Sequence, residues 1–346
     1  MLTTPMSVQE TGQLGTSKSY AALPPSPIIS DEVKDILVFI LTHVFQLILA
    51  SFGILSNMVN IIVYIKMGFS ETSSITLTAL SLADLFTELW LLLMAAGMHE
   101  DLEGEAYPVS VVLVVLLSTA AFAMMGYGSW ITALISVERC LCIVFPMKVK
   151  SIFTVRRISI LLIIGFILQM SSIIPTYATI RLAFVQSPFT NQTSLAVIQS
   201  EYGRYIETIT MFSAFTIASV ICFLIVVICT IFLVIKLNQS ARWRQSTSNA
   251  LSKEDASVST KENRVVRTVV MICVIYIFFF APNVFTFTTM AAYPDFKLTD
   301  PYLGNLQTVC LHIGFMCHSI CSAVNIFVYV TMSTKYRDTF FKLFCG

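Results

Sequence analysis

The sequence predicts an all-α fold, a bundle of seven membrane-spanning helices with the amino terminus outside the cell. Three observations carry this. Hydrophobic residues fill 56% of the 346 positions and charged residues only 12%, for a mean hydropathy of +0.80. A bilayer core of about 30 Å needs roughly 20 apolar residues per helical crossing, and seven such runs occur, at 36–65, 75–98, 109–137, 158–180, 206–235, 265–292 and 302–332. Of the 21 lysines and arginines, 16 fall on one side of these runs and five on the other. Basic residues accumulate on the cytoplasmic side, which sets the orientation.

The elements follow in chain order. Residues 1–35, with Pro24-Pro25-Ser26-Pro27 and many serines and threonines, read as a disordered extracellular arm. They lack the apolar core of a cleavable signal peptide, so the first run also serves as the insertion signal. The seven runs make one transmembrane domain over 36–332, with long connections only at about 181–205 outside and 236–264 inside. Glu100, Asp101, Glu103 and Glu105 fall in an outer loop. The long inner connection carries Arg242, Arg244 and a Ser/Thr series from Ser240 to Thr260. Phosphorylation there would add about −1.5 to −2 charge per site; a plain flexible linker is the other reading.

Residues 333–346 alternate basic and aromatic side chains at helical spacing, which suits an amphipathic helix lying on the membrane. Cys345 at its end is a palmitoylation candidate, or simply a terminal cysteine. Of the two glycosylation sequons, at Asn191 and Asn238, only Asn191 lies on the outer side. None of the nine cysteines falls clearly in an outer loop, so no disulfide is expected and most read as small packing residues.

The informative residues are those that lipid rejects. A carboxylate at bilayer depth costs about 2.5 to 3.5 kcal/mol on insertion scales, so Asp84 must face the interior and find partners. Asn57 and Asn325 are the candidates. At the foot of the third run stands the pair Glu138-Arg139, followed by Cys140-Leu141-Cys142 and the basic loop Phe145-Pro146-Met147-Lys148-Val149-Lys150. Pro282 inside the sixth run removes a backbone donor and kinks the helix. Glu262, at the inner end of the same helix, is placed to pair with Arg139 across the bundle.

Taken in order, these residues resemble the rhodopsin-like family of G-protein-coupled receptors, over about Gly53 to Phe344. Asn57 looks like the family's first-span asparagine and Asp84 its second-span aspartate. Glu138-Arg139-Cys140 is similar to its acid-arginine-aromatic triplet, Pro282 to its sixth-span proline, and Asn325 to Tyr329 to its last-span motif. Within the family the chain resembles divergent invertebrate receptors, including molluscan orphan and chemosensory ones. It departs from the pattern as well. Val114 stands where the family has the cysteine that bridges its third span to the second outer loop. The fourth span lacks a tryptophan, the fifth a proline, and Ile326 replaces the proline of the last motif.

The resemblance implies a multi-pass plasma-membrane receptor that takes an extracellular small molecule or peptide, of chemosensory or neuropeptide type. Its expected partners are a heterotrimeric G protein and, through the third inner loop, arrestin and receptor kinases. Amine receptors of the family use a third-span carboxylate where this chain has Ala121 and Phe122, and opsins need a seventh-span lysine that 302–332 lack, so neither ligand is expected. The pocket candidates are Glu88, Phe122, Met125, Phe280, Asn283, Phe287, Phe315 and His318, largely aromatic with a few polar anchors. Glu88 and His318 would anchor a ligand or bind each other.

Asn57, Asp84, Ser322 and Asn325 would form an internal polar network that, by resemblance, holds a sodium ion in the resting state; Gly128 stands where the family often has a serine. The switch residues would be Glu138, Arg139, Glu262, Pro282 and Tyr329. Ligand would shift the population toward a packing in which the sixth helix swings about Pro282, parts Arg139 from Glu262 and opens a cleft for the G protein. Other classes remain open: a seven-span transporter, although the halves show no internal repeat, and a decoy receptor that binds without signalling. No metal-ligand cluster and no nucleophile-base pair points to an enzyme, and nothing points to nucleic acid.

Overall fold

The computed structural model describes residues 26–97, 107–145, 151–186, 193–210, 215–247, 253–293, 295–298 and 300–346. Among them seven helices are long and apolar enough to cross a membrane: Asp31–Met67, Thr72–Gly97, Leu116–Val144, Val155–Thr179, Phe215–Gln239, Val265–Ala292 and Gly304–Met332, the first to seventh spans. They match the seven apolar runs. The boundaries move where polar residues continue a helix.

The first helix starts at Asp31, so residues 31–35 belong to it and not to the arm. Ser30 caps it, its Oγ accepting the Val33 N–H at 3.4 Å, and Asp31 and Glu32 occupy the first turn, where acidic side chains complement the helix dipole. The same acids lower local hydropathy, which is why the apolar run begins late. Just before it, the Ile28 N–H donates to the Tyr302 carbonyl at 3.1 Å and Asn305 Nδ2 to the Ile29 carbonyl at 2.8 Å, tying the chain to the top of the seventh span. The rest of the arm, 1–25, lies outside the described residues.

Within the first span, Ile40–Gln46 winds as a wider π-helical turn, a feature found mostly as single turns and often at functional sites. It leaves Thr42 and Gln46 facing inward, 2% and 3% exposed. Gly68, at φ 80°, ends the span and returns its N–H to the Tyr64 carbonyl at 3.2 Å. Only glycine adopts that left-handed conformation without strain.

The third helix runs on from Tyr107 to Val144, so Glu138-Arg139 lies within its last turns. Likewise the helix of the fifth span reaches Thr247 and that of the sixth begins at Lys253. The inner connection expected as a loop is therefore helical on both sides of 248–252. Between 236 and 264 there is no glycine or proline to stop either helix. Its Ser/Thr side chains, and that of Glu262, lie outside the described residues, as do Glu100 to Glu105 and the Val114 side chain.

On the outer side the long connection forms an antiparallel hairpin, β1 (Ile180–Gln186) and β2 (Thr193–Gln199), with Leu182 opposite Val197 and Phe184 opposite Leu195. Alternating apolar residues of this kind favour strands. A helix, Glu201–Thr210, follows; Asn191 lies outside the described residues. All nine cysteines are free thiols. What holds the outer end of the third span is β2 packed on it and the Tyr177 hydroxyl of the fourth span, which donates to the Leu116 carbonyl at 2.6 Å.

The second, third and seventh spans form the centre, with 50%, 61% and 50% of their apolar windows buried, against 22%, 17% and 28% for the first, fourth and fifth. Lipid tails are as apolar as leucine, so the helices associate by close packing and hydrogen bonds rather than by hydrophobic exclusion. Trp130 of the third span shows this. Its Nε1 donates to the Leu161 carbonyl at 3.2 Å, and its ring lies on Gly165 of the fourth span. A tryptophan thus does lie at this contact, though it comes from the third span. Gly165→Ala would drive a methyl group into the indole, and overpacking of this kind costs about 1 to 3 kcal/mol. The expected result is lower surface expression and a lower melting temperature of the purified protein, while Ala at Gly97, where nothing lies within 4 Å, leaves both unchanged.

Candidate functional site

At the cytosolic end Arg139 is held by its neighbour and by the second span. Its Nη2 lies 3.3 Å from Glu138 Oε1 and donates to Ser73 Oγ at 2.5 Å, while Thr72 donates to the same Glu138 oxygen. Glu138 is buried and Arg139 nearly so. The described contacts of Arg139 therefore run to the second span, not to the sixth, and the expected pairing with Glu262 falls outside the described side chains. Thr72 and Ser73 escaped sequence reading because hydroxyl residues in a first helical turn look like ordinary capping groups. Beside them the third span touches the fifth and sixth through sulfur. Cys140 Sγ donates to the Cys229 carbonyl at 3.4 Å, and Ser136 Oγ lies 3.1 Å from Cys273 Sγ.

A polar seam climbs between the first, second and seventh spans. Asn57 Nδ2 donates to the Gly53 carbonyl at 2.9 Å and to Ser322 Oγ at 2.8 Å, and Asn325 Nδ2 donates to Asp84 Oδ2 at 3.2 Å. The expected network is thus in contact, in two pairs. Beside Asp84 a cavity of about 20 Å³ is lined by Gly128, Ser129, Thr132, His318, Ser322 and Asn325, among others. That is room for one water.

Inward, the seam continues to groups that the sequence left unmarked. Asn60 Nδ2 reaches Asn57 Oδ1 at 3.4 Å, and the Tyr336 hydroxyl donates to Asn60 Oδ1 at 2.6 Å. Tyr336 belongs to the C-terminal helix, Thr334–Phe344, whose cap Ser333 accepts the Tyr336 N–H at 3.3 Å. It is fully buried, and its ring packs with those of Tyr64 and Tyr329 at centroid distances of 5.2 and 5.4 Å. Burial pushes its phenol above the ordinary tyrosine range, so it remains a neutral donor at physiological pH. Tyr329 therefore sits in a cluster of three tyrosines that joins the seventh span to the C-terminal helix. On that helix Lys335 meets Glu71 at 3.1 Å, an exposed pair of little energetic weight.

In the outer half four rings converge. Phe122 lies 5.5 Å from Phe287 edge-on, 5.3 Å from Phe315 and 6.0 Å from Phe215. Phe215 went unmarked because one more phenylalanine in an apolar span carries no signal. Met125, Phe280 and His318 lie one layer deeper, around the Asp84 cavity. Asn283 is occupied otherwise than expected: its Nδ2 donates to the Gly314 carbonyl at 3.0 Å, and Gly314 leaves room for it. It fastens the sixth span to the seventh, one residue after Pro282. Glu88 also stands apart from the rings. It accepts from Ser319 Oγ at 2.7 Å, and Ser319 accepts from Gln46 Nε2 at 2.7 Å, so Glu88 faces the first and seventh spans and is not paired with His318.

The model of the 7 transmembrane receptor (rhodopsin family) matches residues 56–329. That match covers most of the chain, which belongs to this family of G-protein-coupled receptors and is a multi-pass protein of the plasma membrane. No curated protein matches it.

Tyr336→Phe tests the lower end of the seam. It keeps the ring cluster but strips Asn60 Oδ1 of its donor, a loss of about 1 kcal/mol for a buried hydrogen bond. The expected outcome is a lower melting temperature than the native protein, with Tyr336→Ala lower still because the ring packing goes too.

Proposed function

We propose that the chain receives an extracellular ligand in the outer half of the bundle, at the cluster of Phe122, Phe215, Phe287 and Phe315, and activates a heterotrimeric G protein at the Arg139 end. The observation that carries this reading is the clasp of Arg139 by Glu138, Thr72 and Ser73 at the inner mouth. An arginine so placed is costly unless it has a task, and the clasp can be released. The converging rings suit a ligand with an aromatic or apolar body, a chemosensory small molecule or the aromatic side chain of a neuropeptide.

The ligand wedges against Phe287 and Phe315 and strains the Asn283 tie between the sixth and seventh spans. The sixth helix pivots at Pro282, where the chain has one backbone hydrogen bond fewer to break. At its inner end the Ser136–Cys273 contact yields, Arg139 leaves Ser73, and a cleft opens for the G protein. This is a shift between two packings, and ligand drives it only by its differential affinity for them. Arrestin and receptor kinases act at the inner ends of the fifth and sixth helices, where the Ser/Thr series lies. Cys345, exposed at the end of the amphipathic helix, is the site of a palmitoyl anchor, and Asn191, between the fourth and fifth spans in sequence, that of a glycan.

The test is nucleotide exchange on G proteins in cells expressing the receptor, run against a ligand library. Arg139→Ala should cut ligand-stimulated exchange by about tenfold or more with surface level and ligand binding retained. Full signalling by that variant would refute the proposed switch, and binding by the native chain without any exchange would mark a decoy. Solute uptake without exchange would mark a transporter. Asn283→Ala should act in the opposite sense, raising basal exchange severalfold, since it removes the sixth-to-seventh tie, a buried hydrogen bond contributing about 0.5 to 1.5 kcal/mol to the resting packing.

A further inference from the structure

Between the outer ends of the fifth and sixth spans lies a cavity of about 330 Å³. Its walls include Thr216, Ile217 and Ile221 on the fifth helix and Thr288, Ala291 and Ala292 on the sixth. It opens sideways. Ile217 and Ile221 are 43% and 52% exposed, and Thr288 and Ala292 are exposed as well. All of them lie in helices that cross the membrane, so what meets the opening is lipid and not water. Helices that pack closely leave few voids. This one is made by the alanines, two successive positions that place only methyl groups beside the isoleucines.

The hydroxyls of the sixth helix say what would fill it. Thr286 Oγ1 donates to the Pro282 carbonyl and Thr289 Oγ1 to the Phe285 carbonyl, both at 2.9 Å, the usual recourse of a hydroxyl in an apolar helix. Thr288, which stands between them, makes no hydrogen bond among the described residues. A hydroxyl left open toward hydrocarbon is costly, so Thr288 calls for an acceptor from outside the protein. No side chain that lines the cavity is charged, which suits a neutral group and disfavours an ionised one. Thr288 is four residues from the end of its helix at Ala292, about 6 Å along the axis, the level of a lipid head in the outer leaflet.

The inner wall joins the cavity to the ring cluster. Thr216 Oγ1 donates to the Phe287 carbonyl at 3.4 Å. Phe215 and Phe287 directly precede Thr216 and Thr288, and their rings pack on Phe122. The cavity and the cluster are thus built on the same turns of the same two helices. The volume falls at the lower end of the roughly 300 to 1,000 Å³ of small-molecule sites, room for one chain.

We propose that this cavity binds a neutral single-chain lipid drawn from the outer leaflet, with an acceptor of its head group on Thr288 Oγ1 and its chain along Ile217 and Ile221. Occupancy bears on the ring cluster from the membrane side. The site goes beyond a ligand at the rings and does not rest on it, because binding is read directly and not through the G protein.

The full-length receptor, in phosphatidylcholine nanodiscs, is photolabelled with a monoacylglycerol that carries a diazirine in its chain, and the adducts are mapped by mass spectrometry. They should concentrate on 217–221 and 288–292, and unlabelled monoacylglycerol should compete them away severalfold. Ala291→Phe fills the cavity and should remove most of the labelling. Thr288→Val keeps the shape without the hydroxyl and should shift half-maximal labelling to severalfold higher concentration; it carries the test if Ala291→Phe does not fold. A diazirine fatty acid of the same chain, ionised, should label severalfold less. Three results overturn the proposal. Adducts no denser here than on Ile48 and Leu55, lipid-facing residues of the first span, would make the cavity a contact with bulk lipid only. Labelling unchanged by the variants would free it of Thr288 and the alanines. Equal labelling by the ionised acid would contradict a neutral head.

Discussion

The hydrogen bond from Asn57 to Ser322 is the contact on which the joining of the first and seventh spans depends. Hydrocarbon offers a stray amide nothing, so a buried asparagine must find its partners within the protein. Here it finds Gly53 on its own helix and Ser322 across a helix interface, and hands on the chain: Asn57 to Asn60, Asn60 to Tyr336, Tyr336 into the rings of Tyr64 and Tyr329. The first and seventh spans and the C-terminal helix are joined as one body by these bonds, with the second span attached through Asn325 and Asp84.

The opposite side of the molecule is fastened by weaker means. The third span meets the fifth and sixth at its inner end through thiols, which are poor donors and acceptors. Farther out, one amide bond, Asn283 to Gly314, spans the gap from the sixth helix to the seventh next to the proline. Amide and carboxylate bonds thus join the first, second and seventh spans, and sulfur contacts join the third to the fifth and sixth. Arg139 lies on the boundary between the two sides, bonded to the second span.

How much of this was legible in the sequence follows from the lipid solvent. Seven spans, Asp84, Asn57, Asn325 and Arg139 stand out because hydrocarbon penalises such residues wherever they occur. Thr72, Ser73, Asn60 and Gln46 do not, since polar side chains near helix ends or with a local backbone alternative look harmless. Trp130 over Gly165 pairs positions 35 apart in the chain, and no local pattern announces it. Of the two readings left open for Glu88 and His318, mutual pairing gives way to a bond from Ser319, one residue on, and neighbours on a helix point about 100° apart. The helical extensions into the inner connection were hidden by polarity, although the absence of breakers there was in plain view. The outer hairpin had its alternation on display but lay in a segment passed over as a connection.

The π-helical turn at Ile40–Gln46 amounts to a spare residue wound into the first span. Shortening the chain by one position there would let the helix close into an ordinary α-turn. Everything outward of it would then rotate, carrying Thr42 toward the lipid and separating Asn305 from Ile29. A receptor of this lineage aligned with a one-residue gap at that point would keep the seven crossings and lose the docking of its own amino-terminal segment onto the last of them.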